Sequence, residues 1–295
     1  MNDKNFEEKI KIVGKMLREA EPTLSFTILE IGALPLGGQS EPFHLLPDIF
    51  PQSRIIAFEV DKDLCAELNR KAKPGIRYFP VALGRTEERR KFYVTNHPMC
   101  SSLYKPNEKL NSLYNNMEVA MMKYVESVDT VSLNHFAREN DIGPVDFIKI
   151  DIQGAELDVF RGGTDILNDV VAIVSEVEFI HHYIDQPLFG EVCAFLAEKG
   201  LMFHKFLRTG GRALKPIILG NDPNLPVQYI WSDAMFIKDI FRIPALSSPK
   251  LLKLGLLAFI YGSPDVSHYC FKHFDEKNGT DIHRLFLNIG SKING

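Results

Sequence analysis

The sequence predicts an α/β protein whose core is a parallel sheet, and two observations carry this prediction. Short apolar runs recur along the chain, and helical patterns lie between several of them. Each run is apolar almost throughout, which is typical of strands buried on both faces of a sheet. The chain has 295 residues, 45% hydrophobic and 24% charged, so it can bury a large core without disulfides or metals.

The predicted elements follow one another in a regular order along the chain. Residues 5–20 carry apolar side chains at helical spacing and predict an amphipathic helix. Five strands are predicted after it, at residues 26–29, 54–58, 76–81, 145–150 and 170–174. Helices are predicted over 62–71 and 156–161, and a final strand over 228–237. Apolar residues at helical spacing return over 251–278.

We therefore divide the chain into three predicted segments. An N-terminal helix occupies residues 1–24, an α/β domain residues 25–240, and a C-terminal helical extension residues 241–295. The extension fits either an appendage or the face of a homodimer. Its apolar stretch over 251–261 contains Lys253 and is too short to span a bilayer, so we expect no membrane span.

Composition narrows the classes of partner and the compartment. The formal net charge is -4 and no large basic block is present, which argues against a nucleic-acid partner. The cysteines are widely scattered and form no CxxC pair, which favours free thiols over a disulfide framework or a zinc site. The polar N-terminus shows no signal-peptide pattern. Together these features predict a cytoplasmic protein.

Carboxylates stand at the carboxyl ends of four of the five predicted strands. Glu30 and Glu59 close the first two strands, Asp151 closes the fourth, and Glu176 and Glu178 follow the fifth. Ligands of open α/β sheets bind outside these strand ends. The pattern therefore predicts a crevice that binds hydroxyls, cations or a metal ion, with solvated loop acids as the alternative.

The turn after the first strand argues against a bound diphosphate. Gly32 allows close approach of a ligand, but Gly37 is five residues away and Pro35 lies between them, so the GxGxxG fingerprint is absent. Glu59 is well placed to accept hydrogen bonds from both hydroxyls of a ribose, a role that suits NAD and S-adenosylmethionine equally. A nucleoside that lacks a diphosphate fits this pair of observations better.

Residues 146–163 read DFIKIDIQGAELDVFRGG, and this segment resembles the signature of the FkbM methyltransferase family. Weaker matches follow in the family's order. They are PVALG at 80–84, CSSLY at 100–104, VDTVSL at 128–133, QPLF at 186–189 and WSDA at 231–234. The resemblance covers roughly residues 26–240. It implies a class I methyltransferase fold, a doubly wound, Rossmann-like, mostly parallel sheet of seven strands with the last strand antiparallel.

The resemblance also implies S-adenosylmethionine as methyl donor and an oxygen acceptor, such as a hydroxyl of a saccharide or natural product. An alcohol must lose its proton as it attacks, which requires a general base or a metal ion. The candidate catalytic residues are Asp151, Lys149, which shares its face of the strand and would keep Asp151 ionised, and His181. The candidate cofactor-binding residues are Glu30, Gly32, Ala33, Glu59, Val60, Ala82, Leu83, Ser102, Asp151 and Gln153.

Several alternatives stay open at this point. Asp151, one of Glu176 and Glu178, and one of the histidines that follow them would form a set suited to Mg, Mn or Fe. Gln153 replaces the family's usual Glu, and an amide can neither take a proton nor hold a metal strongly. Residues 97–124 are rich in Met and Tyr and form either a lid over a small-molecule or glycan acceptor or a core helix over 108–123. A nicotinamide-dependent oxidoreductase and a noncatalytic cofactor-binding protein are the competing functions.

Overall fold

The computed structural model describes residues 3–33 and 41–291. Its strands are β1 Thr27–Ile31, β2 Arg54–Phe58, β3 Ile76–Phe79, β4 Ala82–Gly84, β5 Glu88–Thr95, β6 Met122–Ser132, β7 Phe147–Ile150, β8 Ala172–Glu178, β9 Leu201–Arg212 and β10 Gln228–Lys238. Its helices are α1 Asp3–Ala20, α2 Leu46–Ile49, α3 Lys62–Lys71, α4 Glu108–Asn111, α5 Leu133–Glu139, α6 Glu156–Gly162, α7 Phe189–Glu198, α8 Ser248–Ile260, α9 Pro264–Asn278 and α10 Ile282–Ser291.

A seven-stranded sheet forms the centre, in the order β3-β2-β1-β7-β8-β10-β9. The first five strands in this order run parallel, and β10 is antiparallel to both of its neighbours. The predicted α/β fold with a mostly parallel sheet is thus confirmed. Ile31 pairs with Phe58 on one side and with Ile150 on the other, so β1, β2 and β7 end side by side.

Helices cover both faces of this sheet. Alternate residues of each central strand point to opposite faces, so each strand contributes to two apolar clusters. Ile28 of β1 packs into a cluster with α1, α2 and α8–α10. Its neighbour Leu29 packs into a second cluster with α5, α6 and α7. None of the described helices is long and apolar enough to cross a membrane.

The C-terminal helices are a layer of the core, whereas the sequence predicts an appendage or a dimer face. Leu252 and Leu256 of α8 are fully buried and share a cluster with Phe147 of the sheet. Phe259 packs on Phe6 of α1, with ring centroids 5.8 Å apart. The apolar pattern over 251–278 is therefore used within the chain, where these helices pack against the sheet and α1.

The segment between the third and fourth predicted strands forms a second sheet, in the order β4-β6-β5. The alternative of a helix over 108–123 is wrong, since α4 ends at Asn111 and β6 begins at Met122. The predicted strand over 76–81 is interrupted at Pro80, which has no N–H to donate to a ladder. Ala82–Gly84 consequently leaves the main sheet and pairs with β6.

Candidate active site

A cavity of about 1020 Å³ lies between the carboxyl ends of the parallel strands and the three-stranded sheet. All but one of the predicted cofactor-binding residues line it. These are Glu30, Gly32, Ala33, Glu59, Val60, Ala82, Leu83, Asp151 and Gln153. The predicted turn from Leu34 to Gly38 lies outside the described residues. A single crevice therefore collects side chains from β1, β2, β4 and β7.

Gly32 holds the ends of three strands together. Its N–H donates to the Phe58 carbonyl over 3.2 Å, and the Asp151 N–H donates to the Ile31 carbonyl over 2.9 Å. Gly32 has φ +83, and a Cβ at this position would meet the Asp151 carbonyl oxygen at 1.9 Å. Only glycine tolerates both conditions. The close approach brings Glu59 and Asp151 into the same crevice.

Glu59 and Glu30 present buried carboxylates to the cavity, each 8% exposed. One Glu59 oxygen accepts a hydrogen bond from the Asp61 N–H over 2.9 Å. Burial raises the pKa of Glu59 above its ordinary value. Glu30 lies 2.8 Å from Nε2 of His44. These two acids are hydrogen-bond acceptors at neighbouring strand ends.

Lys149 supplies a buried positive charge beside Asp151. Its Nζ lies 3.8 Å from Oδ2 of Asp151 and donates to Oδ1 of Asp233 over 3.3 Å. Burial alone would lower the pKa of Lys149, but Asp151 and Asp233 outweigh it and hold that pKa above its ordinary value. Lys149 therefore stays protonated. Arg208 donates to the second Asp233 oxygen over 2.9 Å, a contribution that the sequence does not reveal.

Gln153 fixes the orientation of Asp151 with its side-chain amide. Nε2 donates to Oδ1 of Asp151 over 2.9 Å and to Oε2 of Glu176 over 2.5 Å. Gln153 has φ +58, a conformation that is uncommon for a residue with a side chain. The Ser102 hydroxyl donates to the Gln153 carbonyl over 2.6 Å. Ser102 is fully buried and supports this turn without lining the cavity.

Three buried carboxylates cluster behind Gln153. One oxygen each from Glu156, Glu176 and Glu178 lies within 4.8 Å of the others. The sequence prediction grouped Asp151 with Glu176 and Glu178 as metal ligands, whereas in the structure Glu156 lies beside these two glutamates. Oε1 of Glu156 accepts a hydrogen bond from the Ile152 N–H over 2.8 Å. Burial raises the pKa of Glu156 to about 8 and those of the other two well above their ordinary values. The three carboxyls need protons or a cation to stay buried together.

The histidines after β8 lie outside the cavity. His181, predicted as catalytic, is exposed and does not line it. His182 is 5% exposed, and burial lowers its pKa to about 3. Asn107 and Asn111 bind the backbone carbonyls of this pair. The contacts of these two residues therefore point to a structural role in connecting α4 to the end of β8.

The acid cluster predicts an unusual pH dependence of stability in buffer that contains a chelator. Because the pKa of Glu156 is about 8 in the folded chain and about 4.5 unfolded, the native state binds more protons between these values. The free energy of unfolding should then fall as pH rises through this window, by up to about 1.4 kcal/mol per pH unit for each proton. Urea titrations at several pH values measure this slope.

Glu156→Gln should make that slope shallower, because the amide keeps the acceptor for Ile152 and does not titrate. Glu126→Gln, at an exposed position of the cavity wall, is the matched control and should leave the slope unchanged. An unaltered slope in the Glu156→Gln variant would contradict the assignment. A gain in stability from Mn²⁺ near pH 8 would assign a cation to the cluster in place of protons.

A sequence profile described as methyltransferase FkbM domain matches residues 36–201, which is more than half of the chain. The chain belongs to the FkbM methyltransferase family. The match runs from before β2 to the start of β9 and includes Glu59, Asp151 and Gln153. A search of curated proteins found no match. This FkbM methyltransferase is therefore an enzyme that transfers methyl groups, and its cavity at the strand ends is the candidate active site.

Proposed function

We propose that this FkbM methyltransferase transfers a methyl group from S-adenosylmethionine to a hydroxyl of a small-molecule or glycan acceptor. The observation that carries the proposal is that Glu59 and Asp151 line one crevice, with Gly32 between them. The strand order β3-β2-β1-β7-β8-β10-β9, with helices on both faces, supports a doubly wound, Rossmann-like class I fold.

The residues present fit a sulfonium nucleoside. Glu59 offers a buried carboxylate for the ribose hydroxyls, and Val60, Ala82 and Leu83 line the same cavity. When bound, S-adenosylmethionine supplies a methyl carbon made electrophilic by the sulfonium. Acids at the strand ends favour this cation. The absence of GxGxxG from the sequence speaks against a dinucleotide.

Asp151 is the proposed general base. Its Oδ1 is held by Gln153, and its Oδ2 faces Lys149 at 3.8 Å. With the donor bound, this carboxylate would take the proton of the acceptor hydroxyl as the oxygen–methyl bond forms and the methyl–sulfur bond breaks, which would release S-adenosylhomocysteine as a neutral thioether. Lys149 places a positive charge beside this carboxylate, and Asp233 keeps Lys149 in place. Orientation of the two reactants contributes the remainder of the rate.

A divalent cation, where one binds, is assigned to Glu156, Glu176 and Glu178. The three carboxylates are at most 8% exposed and do not line the cavity. A cation there would neutralise the cluster and would lie behind Gln153, away from the acceptor. The four cysteines are free thiols, which supports the proposed cytoplasmic location.

The test of the proposed function is calorimetric titration with S-adenosylhomocysteine and with NAD. The wild-type chain should bind the former, and Glu59→Ala should weaken binding by about 1–3 kcal/mol, roughly 5- to 150-fold. Asp63→Ala, an exposed carboxylate at the cavity edge, is the control and should change affinity little. NAD binding without S-adenosylhomocysteine binding would favour the oxidoreductase alternative.

A further inference from the structure

The cavity wall opposite the strand ends is one face of the three-stranded sheet. Phe92 of β5 pairs with Glu126 of β6, and Val94 pairs with Tyr124. Because side chains of a strand alternate between faces, these four residues share a face. All four line the cavity. The wall is therefore mainly apolar and aromatic, with one carboxylate in it.

This wall is attached to the turn that carries the proposed base. Tyr93 of β5 and Ser102 exchange two backbone hydrogen bonds, of 2.8 and 3.2 Å. The Ser102 hydroxyl in turn binds the Gln153 carbonyl, two residues after Asp151. Leu103 extends the apolar surface into the cavity at this junction. The apolar wall is therefore joined through Ser102 to the turn that follows Asp151, and both line the cavity in which the acceptor must bind.

The charge of the cavity is strongly negative. Among the described residues that line it, seven carry carboxylates and two are lysines. Such a lining attracts a sulfonium cation and repels an anion. Glu126 places one of these carboxylates in the apolar wall itself. A phosphorylated acceptor would meet like charge at the point where it has to bind.

We propose, building on the methyl transfer proposed above, that the acceptor is an uncharged alcohol carried on an apolar body. The cavity of about 1020 Å³ is as large as the biggest common small-molecule sites, so it has room for a donor and a second ligand of this kind. The apolar wall gains affinity by burying the body of the acceptor. A sugar without an apolar group leaves the apolar wall exposed to water, and the carboxylates of the cavity repel a sugar phosphate.

Three related probes test the inference, namely glucose, octyl β-D-glucoside below its micelle concentration, and glucose 6-phosphate. Binding to the chain saturated with S-adenosylhomocysteine is measured by calorimetry or ligand-observed NMR. Octyl β-D-glucoside should bind at least about tenfold more tightly than glucose, because burying two or three methylenes is sufficient for this difference. Glucose 6-phosphate should bind more weakly than glucose.

Tyr124→Ser should weaken octyl glucoside binding roughly five- to tenfold. The matched control is Val125→Ser, since Val125 is 44% exposed against 47% for Tyr124 but lies on the opposite face of β6. Failure of S-adenosylhomocysteine to bind would overturn the proposed function. If it binds while glucose equals octyl glucoside, no probe binds, or the two variants behave alike, the acceptor inference alone is overturned.

Discussion

Asp151→Asn should lower the rate of methyl transfer about 10²- to 10⁴-fold, the usual contribution of a general base. The amide cannot accept the proton of the acceptor hydroxyl, and it leaves Lys149 with one fewer carboxylate partner. Affinity for S-adenosylhomocysteine should change far less, because proton transfer plays no part in binding. Single-turnover assays with labelled S-adenosylmethionine, beside calorimetric binding, separate the two effects.

The matched control for this change is Asp63→Asn, which removes an exposed carboxylate from the edge of the same cavity. Its rate should stay within a few-fold of the wild type. A small rate loss in Asp151→Asn, no greater than that of the control, would remove Asp151 from the role of base. Loss of binding equal to the loss of rate would make Asp151 a binding residue.

Lys253→Met should lower the free energy of unfolding by about 3–5 kcal/mol, as expected when one partner of a buried ion pair is removed. Asp146 is 3% exposed, and Nζ of Lys253 donates to both of its carboxylate oxygens, over 2.9 Å to Oδ1 and 2.8 Å to Oδ2. The same carboxylate accepts the Thr27 N–H at the start of β1. The substitution would leave a buried charge facing a methionine. Urea denaturation followed by circular dichroism measures the change.

Lys250→Met is the control on the same helix. Lys250 pairs with Asp169 over 2.6 Å, but its side chain is 25% exposed and that of Asp169 is 44% exposed. Water screens such a pair, so the expected loss is at most about 1 kcal/mol. Equal losses in the two variants would show that Lys253 does not anchor the C-terminal layer to the sheet.

The central strands, and the site residues at their carboxyl ends, could be predicted because the apolar run that marks each strand is a local feature of the sequence. Arg54–Phe58 is a strand with the predicted bounds, since an apolar run flanked by polar residues has few other structures open to it. Glu59 and Asp151 follow such runs directly. The general location of the cavity follows from the rule for parallel sheets.

The remaining features depend on contacts between distant parts of the chain. The Asp233 carboxylate forms ion pairs with both Lys149 and Arg208, and no residue spacing in the sequence predicts this arrangement. β5 and β6 are largely polar strands, so they lack the apolar run that marks a buried one. Glu156 begins a helix by its sequence pattern, and only folding brings it to Glu176. The burial of the apolar residues of α8 likewise depends on the packing of α1 and α9 against this helix.

The position of β10 in the sheet has a consequence for folding during synthesis. β8 is buried along its whole length, yet one edge pairs only with β10, whose residues leave the ribosome about fifty positions later. Until then β8 presents an edge with unpaired N–H and C=O groups, a template for association with other chains. The nascent chain is thus most exposed to misassembly between completion of β8 and arrival of the β9–β10 hairpin.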